Sequence, residues 1–234
     1  MKNFYCIVIV LFTMICHTNA EVRSYSGDVY SKKGNNFIYK GSIESGSKLA
    51  VKKNNCYDET GNIIIKERTE YIENTCEIVN MHIQDLRTGK EEIIIDNGNT
   101  YTVKFKKNHK STFREKNIKK ENGVIHPTVL AMYMQQNMDK ILTEKTVKVS
   151  LLLPNRLCTI DFQLTRQGIV QINNEQCYNV KLEPSSLLVK QFVNPIHFYV
   201  KKNDPSVLVK YEGIIGPTDL EGNSQSGHII FSFN

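Results

Sequence analysis

Short segments in which apolar and polar residues alternate recur along most of the chain, and turn-forming residues separate them. Alternation with a period of two places every second side chain on the same face, which is typical of β-strands with one buried face. The predicted strands are residues 25–30, 37–44, 48–56, 63–72, 78–86, 91–96, 100–107, 146–153, 157–165, 169–172, 178–183, 197–201, 207–211 and 228–233. The gaps between them are mostly short, which favours antiparallel neighbours over crossover connections.

One segment follows a helical period instead. Pro127 suits the first turn of a helix. After it, apolar side chains recur at steps of three and four, at Leu130, Tyr133, Met134, Met138, Ile141 and Leu142. This spacing predicts one main helix over about residues 127–143. A second, short helix is expected to begin at Ser185 or Ser186 and to end before Pro195.

These elements predict an α+β fold that is mostly antiparallel β, with a curved sheet or open half-barrel wrapped around the main helix. Of the 234 residues, 40% are hydrophobic and 23% are charged, which are values of a globular rather than a disordered protein. No internal repeat or linker divides the chain. Residues 21–234 are therefore expected to form a single β-rich domain.

The first residues have the composition of an export signal. Lys2 precedes an apolar run over residues 4–16, and Thr18-Asn19-Ala20 places small residues ahead of a cleavage site. This pattern predicts a secretory signal peptide over residues 1–20 and a protein that is exported to the periplasm or secreted. Lipidation at Cys16 is the alternative, although the residues before Cys16 lack the usual lipoprotein pattern.

Four cysteines follow the signal peptide, and an even number in an exported chain predicts disulfides. Pairing Cys56 with Cys76 and Cys158 with Cys177 would close loops of about 20 residues each. A two-residue turn at Gln167-Gly168 would place Cys158 opposite Cys177. Other pairings and four reduced thiols remain open, whereas a metal site is disfavoured because no C-x-x-C motif occurs.

The formal net charge of +6 comes mainly from Lys, with 24 Lys and 6 Arg. Lys lacks the bidentate geometry of Arg, so no nucleic-acid partner is predicted. Residues 104–120 contain eight Lys or Arg and one acid, Glu115. This segment is either a contact for anionic lipid or another polyanion, or a solvated loop between a hairpin and the helix. Its two aromatic residues, Phe105 and Phe113, offer no stacking platform for nucleic acid.

No segment carries a recognised catalytic or cofactor motif, and no histidines stand at metal-ligand spacing. No cofactor or metal is therefore expected, and the protein is expected to be non-enzymatic. Asp85 and Arg87 would form either a ligand or partner clamp or a salt bridge that fixes a strand connection. The candidate side chains for a polar ligand-binding or catalytic site are Arg87, Arg156, His197 and Tyr211.

The predicted helix carries three methionines, Met132, Met134 and Met138, beside Tyr133. Methionine side chains are adaptable and suit an irregular or lipid-contacting surface. The alternative interpretation is ordinary packing of the helix against the sheet.

A series of short landmarks runs through the chain. They are Tyr25-Ser26-Gly27-Asp28-Val29, Ile38-Tyr39, Asp85-Leu86-Arg87-Thr88-Gly89, Leu153-Pro154-Asn155-Arg156, Phe162, Glu183-Pro184-Ser185-Ser186, Asn194-Pro195-Ile196-His197-Phe198, Tyr211-Glu212-Gly213 and Asp219. In this order and spacing they resemble a family of uncharacterised exported bacterial proteins, a domain of unknown function similar to lipoprotein-carrier-like half-barrels. The resemblance implies a bent antiparallel sheet with a helix on its concave side. It supplies no catalytic residue, and it does not include the lysine-rich segment.

Three functions follow from these observations. The first is an exported, non-enzymatic periplasmic protein that binds a hydrophobic or lipid-like ligand in the concave face of its sheet. The second is a structural or adaptor protein of the cell envelope that docks a partner through a sheet edge or the basic segment. The third is an enzyme of unrecognised type, whose polar side chains would converge in one pocket.

Overall fold

The computed structural model describes residues 21–144, 146–191 and 193–233, so the predicted signal peptide over residues 1–20 lies outside the described residues. The strands are β1 (Glu21–Ser31), β2 (Asn36–Ser45), β3 (Leu49–Tyr57), β4 (Ile63–Ile72), β5 (Ile78–Asp85), β6 (Lys90–Asp96), β7 (Thr100–Lys106), β8 (Arg114–Lys119), β9 (Val124–Ile125), β10 (Val147–Leu153), β11 (Cys158–Ile172), β12 (Glu175–Pro184), β13 (Ile196–Lys201), β14 (Leu208–Ile215) and β15 (Gln225–Phe233). The helices are α1 (Leu130–Gln136), α2 (Met138–Thr143) and α3 (Leu187–Lys190), and a 3-10 turn over Pro127–Val129 precedes α1.

All of these strands belong to one sheet, in the order β8-β7-β6-β5-β4-β3-β2-β1-β15-β14-β13-β12-β11-β10-β9. Neighbouring strands are antiparallel, except that β9 runs parallel to β10. Strands β1 to β8 form one antiparallel meander, and strands β10 to β15 form another. The two meanders join at the centre of the sheet, where Val29 of β1 lies opposite Ile229 of β15. The mostly antiparallel fold that the alternation predicts is therefore confirmed.

The sheet is open but strongly curved. Strands β8 and β9 lie at its opposite edges, yet only residues 120–123 separate them in the chain. An extended link of that length spans at most about 18 Å, so the two edges approach each other there. The Arg114 guanidinium at the start of β8 also donates to the carbonyl oxygen of Asn155, in the turn between β10 and β11, at 2.8 Å.

Residues 127–143, here called the helical segment, lie on the concave side and complete the main core. Their buried side chains share one cluster with residues of both halves of the sheet: Val129, Leu130, Met134, Met138 and Ile141 pack with Ala50, Tyr71, Met81, Ile94, Val103, Val147, Leu164, Leu182, Phe198 and Leu208. Met134 is 0% exposed and Met138 is 3% exposed. The structure thus places these two methionines in the core and not on a free lipid-contacting surface.

The single main helix predicted over residues 127–143 is divided in the structure. Asn137 separates α1 from α2 with φ −108° and ψ 15°, and its side-chain amide donates to the Tyr133 carbonyl oxygen at 2.8 Å. A short polar side chain that bonds to the backbone competes with continued helix. The short helix predicted after Ser185 or Ser186 is α3, which begins after Ser186. The Ser186 side chain makes no capping hydrogen bond. No helix in the described ranges is long and apolar enough to cross a membrane.

Two strand predictions need correction. Residues 114–119, which one interpretation assigned to a loop, form the edge strand β8. Residues 157–165 and 169–172 merge into the single strand β11, because the predicted turn at Gln167-Gly168 is a bulge in a continuous ladder. The turn instead falls at Asn173-Asn174, whose φ values are 46° and 65°. Asn tolerates this left-handed conformation, which two-residue hairpins require.

This register differs from the geometry predicted for the Cys158–Cys177 pair. Cys158 lies opposite Leu153 and Cys177 opposite Val170, so about 40 Å of strand β11 separates the two positions. Cys56, Cys76, Cys158 and Cys177 are all free thiols in the structure. Burial raises the pKa of Cys56 and that of Cys76 to about 12, so these two thiols stay protonated at neutral pH.

Candidate functional site

The four polar side chains singled out from the sequence lie at four different places. Arg87 follows β5, and Arg156 is exposed in the turn before β11. His197 shares the outer face of the sheet with its neighbour Glu212, and its Nδ1 lies 3.0 Å from the Asn179 side-chain oxygen. Tyr211 points to the opposite face and packs edge-on against Phe198. These four side chains do not form one pocket.

Asp85 and Arg87 form a structural clamp. The Asp85 carboxylate, in a residue only 3% exposed, accepts from the Arg87 guanidinium at 3.1 Å and from the Thr218 hydroxyl at 3.1 Å. Arg87 also donates to the Thr218 carbonyl oxygen at 2.9 Å. These bonds tie the turn after β5 to the loop between β14 and β15. A cavity of about 310 Å³ beside the clamp has mixed charge, and the Lys33–Asp219 ion pair, at 3.0 Å, lies along its wall.

A group of buried polar residues on β3 and β4 was not predicted from the sequence. On the inner face of β3, Lys52 and Asn54 lie between Ala50, in the main core, and Cys56, in a second apolar cluster. Lys52 pairs with Glu67 of β4 at 2.8 Å, and their side chains are only 11% and 7% exposed. We call Lys52, Asn54, Glu67 and Thr128 the polar cluster.

The polar cluster anchors the helical segment to the sheet. The Lys52 ammonium donates to the Thr128 carbonyl oxygen at 2.9 Å and to the Thr128 hydroxyl at 2.7 Å, and that hydroxyl donates to Glu67. Asn54 donates to the second Glu67 oxygen at 3.3 Å. Burial opposes both charges, but their mutual attraction outweighs it, so the pKa of Glu67 is lowered and that of Lys52 is raised. The pair is therefore charged at neutral pH.

A second buried contact fixes the start of the same segment. His126 Nε2 lies 3.5 Å from the Glu92 carboxylate, while His126 Nδ1 accepts from the Thr128 backbone N–H at 3.1 Å. Lys90 pairs with the same carboxylate at 2.8 Å. Burial disfavours ionised Glu92, but the Lys90 charge and the His126 hydrogen bond prevail and lower its pKa to about 2.

This shift predicts a specific loss of stability in acid. The unfolded chain protonates Glu92 near its usual pKa of 4.5, whereas the folded chain does so near 2. The ionised group therefore stabilises the fold fully above the unfolded pKa, by about 3 kcal/mol, and the contribution falls as the pH drops towards 2. Urea unfolding of the wild type and of Glu92→Gln is expected to differ by about 3 kcal/mol at neutral pH, and by about 1 kcal/mol near pH 3. A difference independent of pH would contradict this assignment.

A cleft of about 390 Å³ with a mixed polar and apolar lining lies where the β11–β12 turn meets the β13–β14 connection. Its lining residues come from the β11–β12 turn, the β13–β14 connection and β15: Ile172, Asn173, Glu175, Lys201, Val207, Val209 and Phe231. Phe231 packs against both apolar clusters, so the cleft reaches the core. Gln135 of α1 donates to the carbonyl oxygen of Ser206, next to Val207. The Lys201–Glu175 ion pair, at 2.7 Å, supplies the charged groups of the lining.

The cleft has the size of a small-ligand site, which is about 300–1,000 Å³. Such sites are mostly apolar, whereas this lining mixes aliphatic and aromatic side chains with Asn173, Glu175 and Lys201. Sequence reasoning missed the cleft, because its lining comes from three distant segments without a shared local pattern. Within the described ranges, no group of three or more His, Cys, Asp or Glu residues is placed to hold a metal ion.

No protein-family model and no curated protein matches the chain. It is similar to a solved DUF1329 family protein from Desulfovibrio piger, with a TM-score of 0.32 and 10% identity, over 93% of this chain and 85% of that chain. It is also similar to a domain described as an outer membrane lipoprotein-sorting protein from Vibrio parahaemolyticus, with a TM-score of 0.30 and 5% identity, over 91% of this chain and 84% of that chain. At these TM-scores the two likenesses carry no conclusion about the family of the chain or about what it binds.

Proposed function

We propose that this chain is an exported, non-enzymatic protein of the cell envelope that binds a hydrophobic, lipid-like ligand on the concave side of its sheet. The cleft lined by Val207, Val209 and Phe231 is the observation that carries the proposal. The sequence pattern of residues 1–20 supports export. The separation of Arg87, Arg156, His197 and Tyr211 supports a binding role over a catalytic one.

The ligand class follows from the lining. Val207, Val209 and Ile172 offer aliphatic surface, and the charges of Lys201 and Glu175 compensate each other. The lining therefore favours neither an anionic nor a cationic ligand over an apolar hydrocarbon chain. Each methylene that enters the cleft contributes about 0.8 kcal/mol. Affinity for a homologous series of fatty acids is thus expected to rise about fourfold per methylene until the cleft is full.

A side chain that fills the cleft should weaken this binding. Val207→Trp places an indole among the lining residues, and we expect it to weaken binding by at least about tenfold. The measurement is displacement of the fluorescent apolar probe N-phenyl-1-naphthylamine by lauric acid from the purified chain.

The matched control is Val22→Trp, at a β1 position that is 60% exposed and is not part of the cleft lining. It should bind the probe and lauric acid like the wild type. Absence of saturable binding by the wild type, or equal binding by both variants, would refute the cleft as the ligand site.

A further inference from the structure

The edge strand β8 has one side that no described strand covers. It forms the end of the sheet and pairs only with β7. All of its residues except Ile118 are exposed. The other edge strand, β9, is two residues long and buried. We propose that the free edge of β8 binds an extended, acidic segment of a partner protein by strand addition. This interaction is separate from ligand binding at the cleft.

The hydrogen bonds of the ladder show which backbone groups are available. The N–H of Lys120 donates to the carbonyl oxygen of Asn99 at 2.9 Å, in continuation of the β7–β8 register. Backbone groups of alternate residues in an antiparallel pair point to the same side. Ile118 and Lys116 therefore direct their N–H groups towards β7, and Glu115, Asn117 and Lys119 direct theirs to the free edge.

The open part of the edge has a defined length. Arg114, at the first position of β8, is held by its bond to Asn155 across the gap between the sheet edges. The available edge thus runs over residues 115–119. Its three outward N–H groups and the carbonyl groups beside them match an added strand of about five residues.

The charge of this edge selects the partner. Arg114, Lys116 and Lys119 stand in the strand against Glu115 alone, and Glu115 is paired with Lys104 at 2.9 Å. In the preceding loop, Lys107 and Lys110 are exposed, and neither forms an ion pair among the residues that the structure describes. An acidic strand would place carboxylates opposite this uncompensated positive charge.

The same charge disfavours a second copy of this chain as the occupant. Antiparallel self-pairing about Lys116 would set the two Lys116 side chains directly opposite each other, and pairing about Asn117 would set Arg114 of one copy opposite Lys120 of the other. A parallel arrangement would set each cation beside its own equivalent. Like charges in directly opposed positions destabilise strand pairs, and lysines on edge strands are a known protection against self-association.

Binding to a fluorescently labelled peptide of alternating Glu and Val tests the proposal, with anisotropy as the readout. Asn117→Pro removes an N–H that points away from β7, so the β7–β8 ladder keeps its bonds. Asn117→Ala is the matched control: both changes remove the Asn117 side-chain bond to Thr102, but Ala keeps the backbone donor. We expect the Pro variant to bind at least about tenfold more weakly than the Ala variant.

Two further measurements separate the alternatives. Lys116→Glu with Lys119→Glu should also weaken peptide binding, while displacement of the apolar probe by lauric acid should be unchanged in every β8 variant. Equal peptide binding by folded Asn117→Pro and Asn117→Ala would overturn strand addition. Failure of the wild type to bind the peptide, with binding to phosphatidylglycerol vesicles instead, would overturn the acidic-segment proposal in favour of a membrane surface.

Discussion

Replacing Glu67 by Gln is expected to lower the free energy of unfolding by about 3–5 kcal/mol, measured by urea unfolding at neutral pH. The substitution removes the carboxylate but leaves the Lys52 ammonium, which is buried with it at 2.8 Å. An uncompensated buried charge is one of the few causes of so large an effect from one substitution. The Thr128 hydroxyl also loses its charged acceptor, so the anchor of the helical segment is weakened.

Two further variants isolate this cause. Glu70→Gln lies on the same strand, but Glu70 is more exposed and pairs with Arg68 near the surface, so a loss within about 1 kcal/mol is expected. The double variant Lys52→Met with Glu67→Leu removes both charges together and should recover most of the stability lost by Glu67→Gln. A small effect of Glu67→Gln, comparable to that of Glu70→Gln, would show that the polar cluster is not desolvated.

Truncating Met134 to Ala is expected to cost about 2–5 kcal/mol, again measured by urea unfolding. Met134 is 0% exposed and belongs to the cluster shared by both halves of the sheet. Its removal leaves a cavity in the core between the helical segment and the sheet. The loss combines the transfer free energy of the removed atoms with the cost of the cavity.

Met132→Ala provides the control, since the same residue type on the same helix is only partly buried. We expect it to cost about 1 kcal/mol or less. Equal losses at both positions would mean that α1 does not present one defined face to the sheet. The comparison therefore tests whether the helical segment is an integral part of the core.

Alternation along the chain was sufficient to predict most of the sheet. The strand predicted over residues 63–72 has the same bounds as β4. Strand β8 escaped prediction because it is exposed on both faces, so its polarity does not alternate. The division of the helix at Asn137 also escaped, because apolar side chains continue at helical spacing through both α1 and α2.

The site was less accessible from the sequence. In the alternating pattern of β3, Lys52 and Asn54 lie on the same face as Ala50 and Cys56. This alternation indicates that the two polar side chains are buried. Their partner Glu67 lies on the next strand, whereas Thr128 approaches only because the sheet curves around the helical segment. The cleft depends on the position of the turn at Asn173-Asn174, and the sequence placed that turn incorrectly.

The helical segment fills part of the concave side, and the Lys52–Glu67 ion pair and the Glu92–His126 contact, both buried, hold its beginning in place. The cleft near α1 remains open, with both polar and apolar side chains in its lining. A fixed helical segment would keep the cleft preformed, so ligand binding is expected to require little rearrangement.

Amide hydrogen exchange with and without lauric acid tests the proposed function most directly. We predict slower exchange on ligand addition over residues 207–209, around Phe231 and in the β11–β12 turn, and no change over β8. Unchanged exchange at the cleft, or protection confined to the outer face of the sheet, would contradict the claim that the concave side binds an apolar ligand.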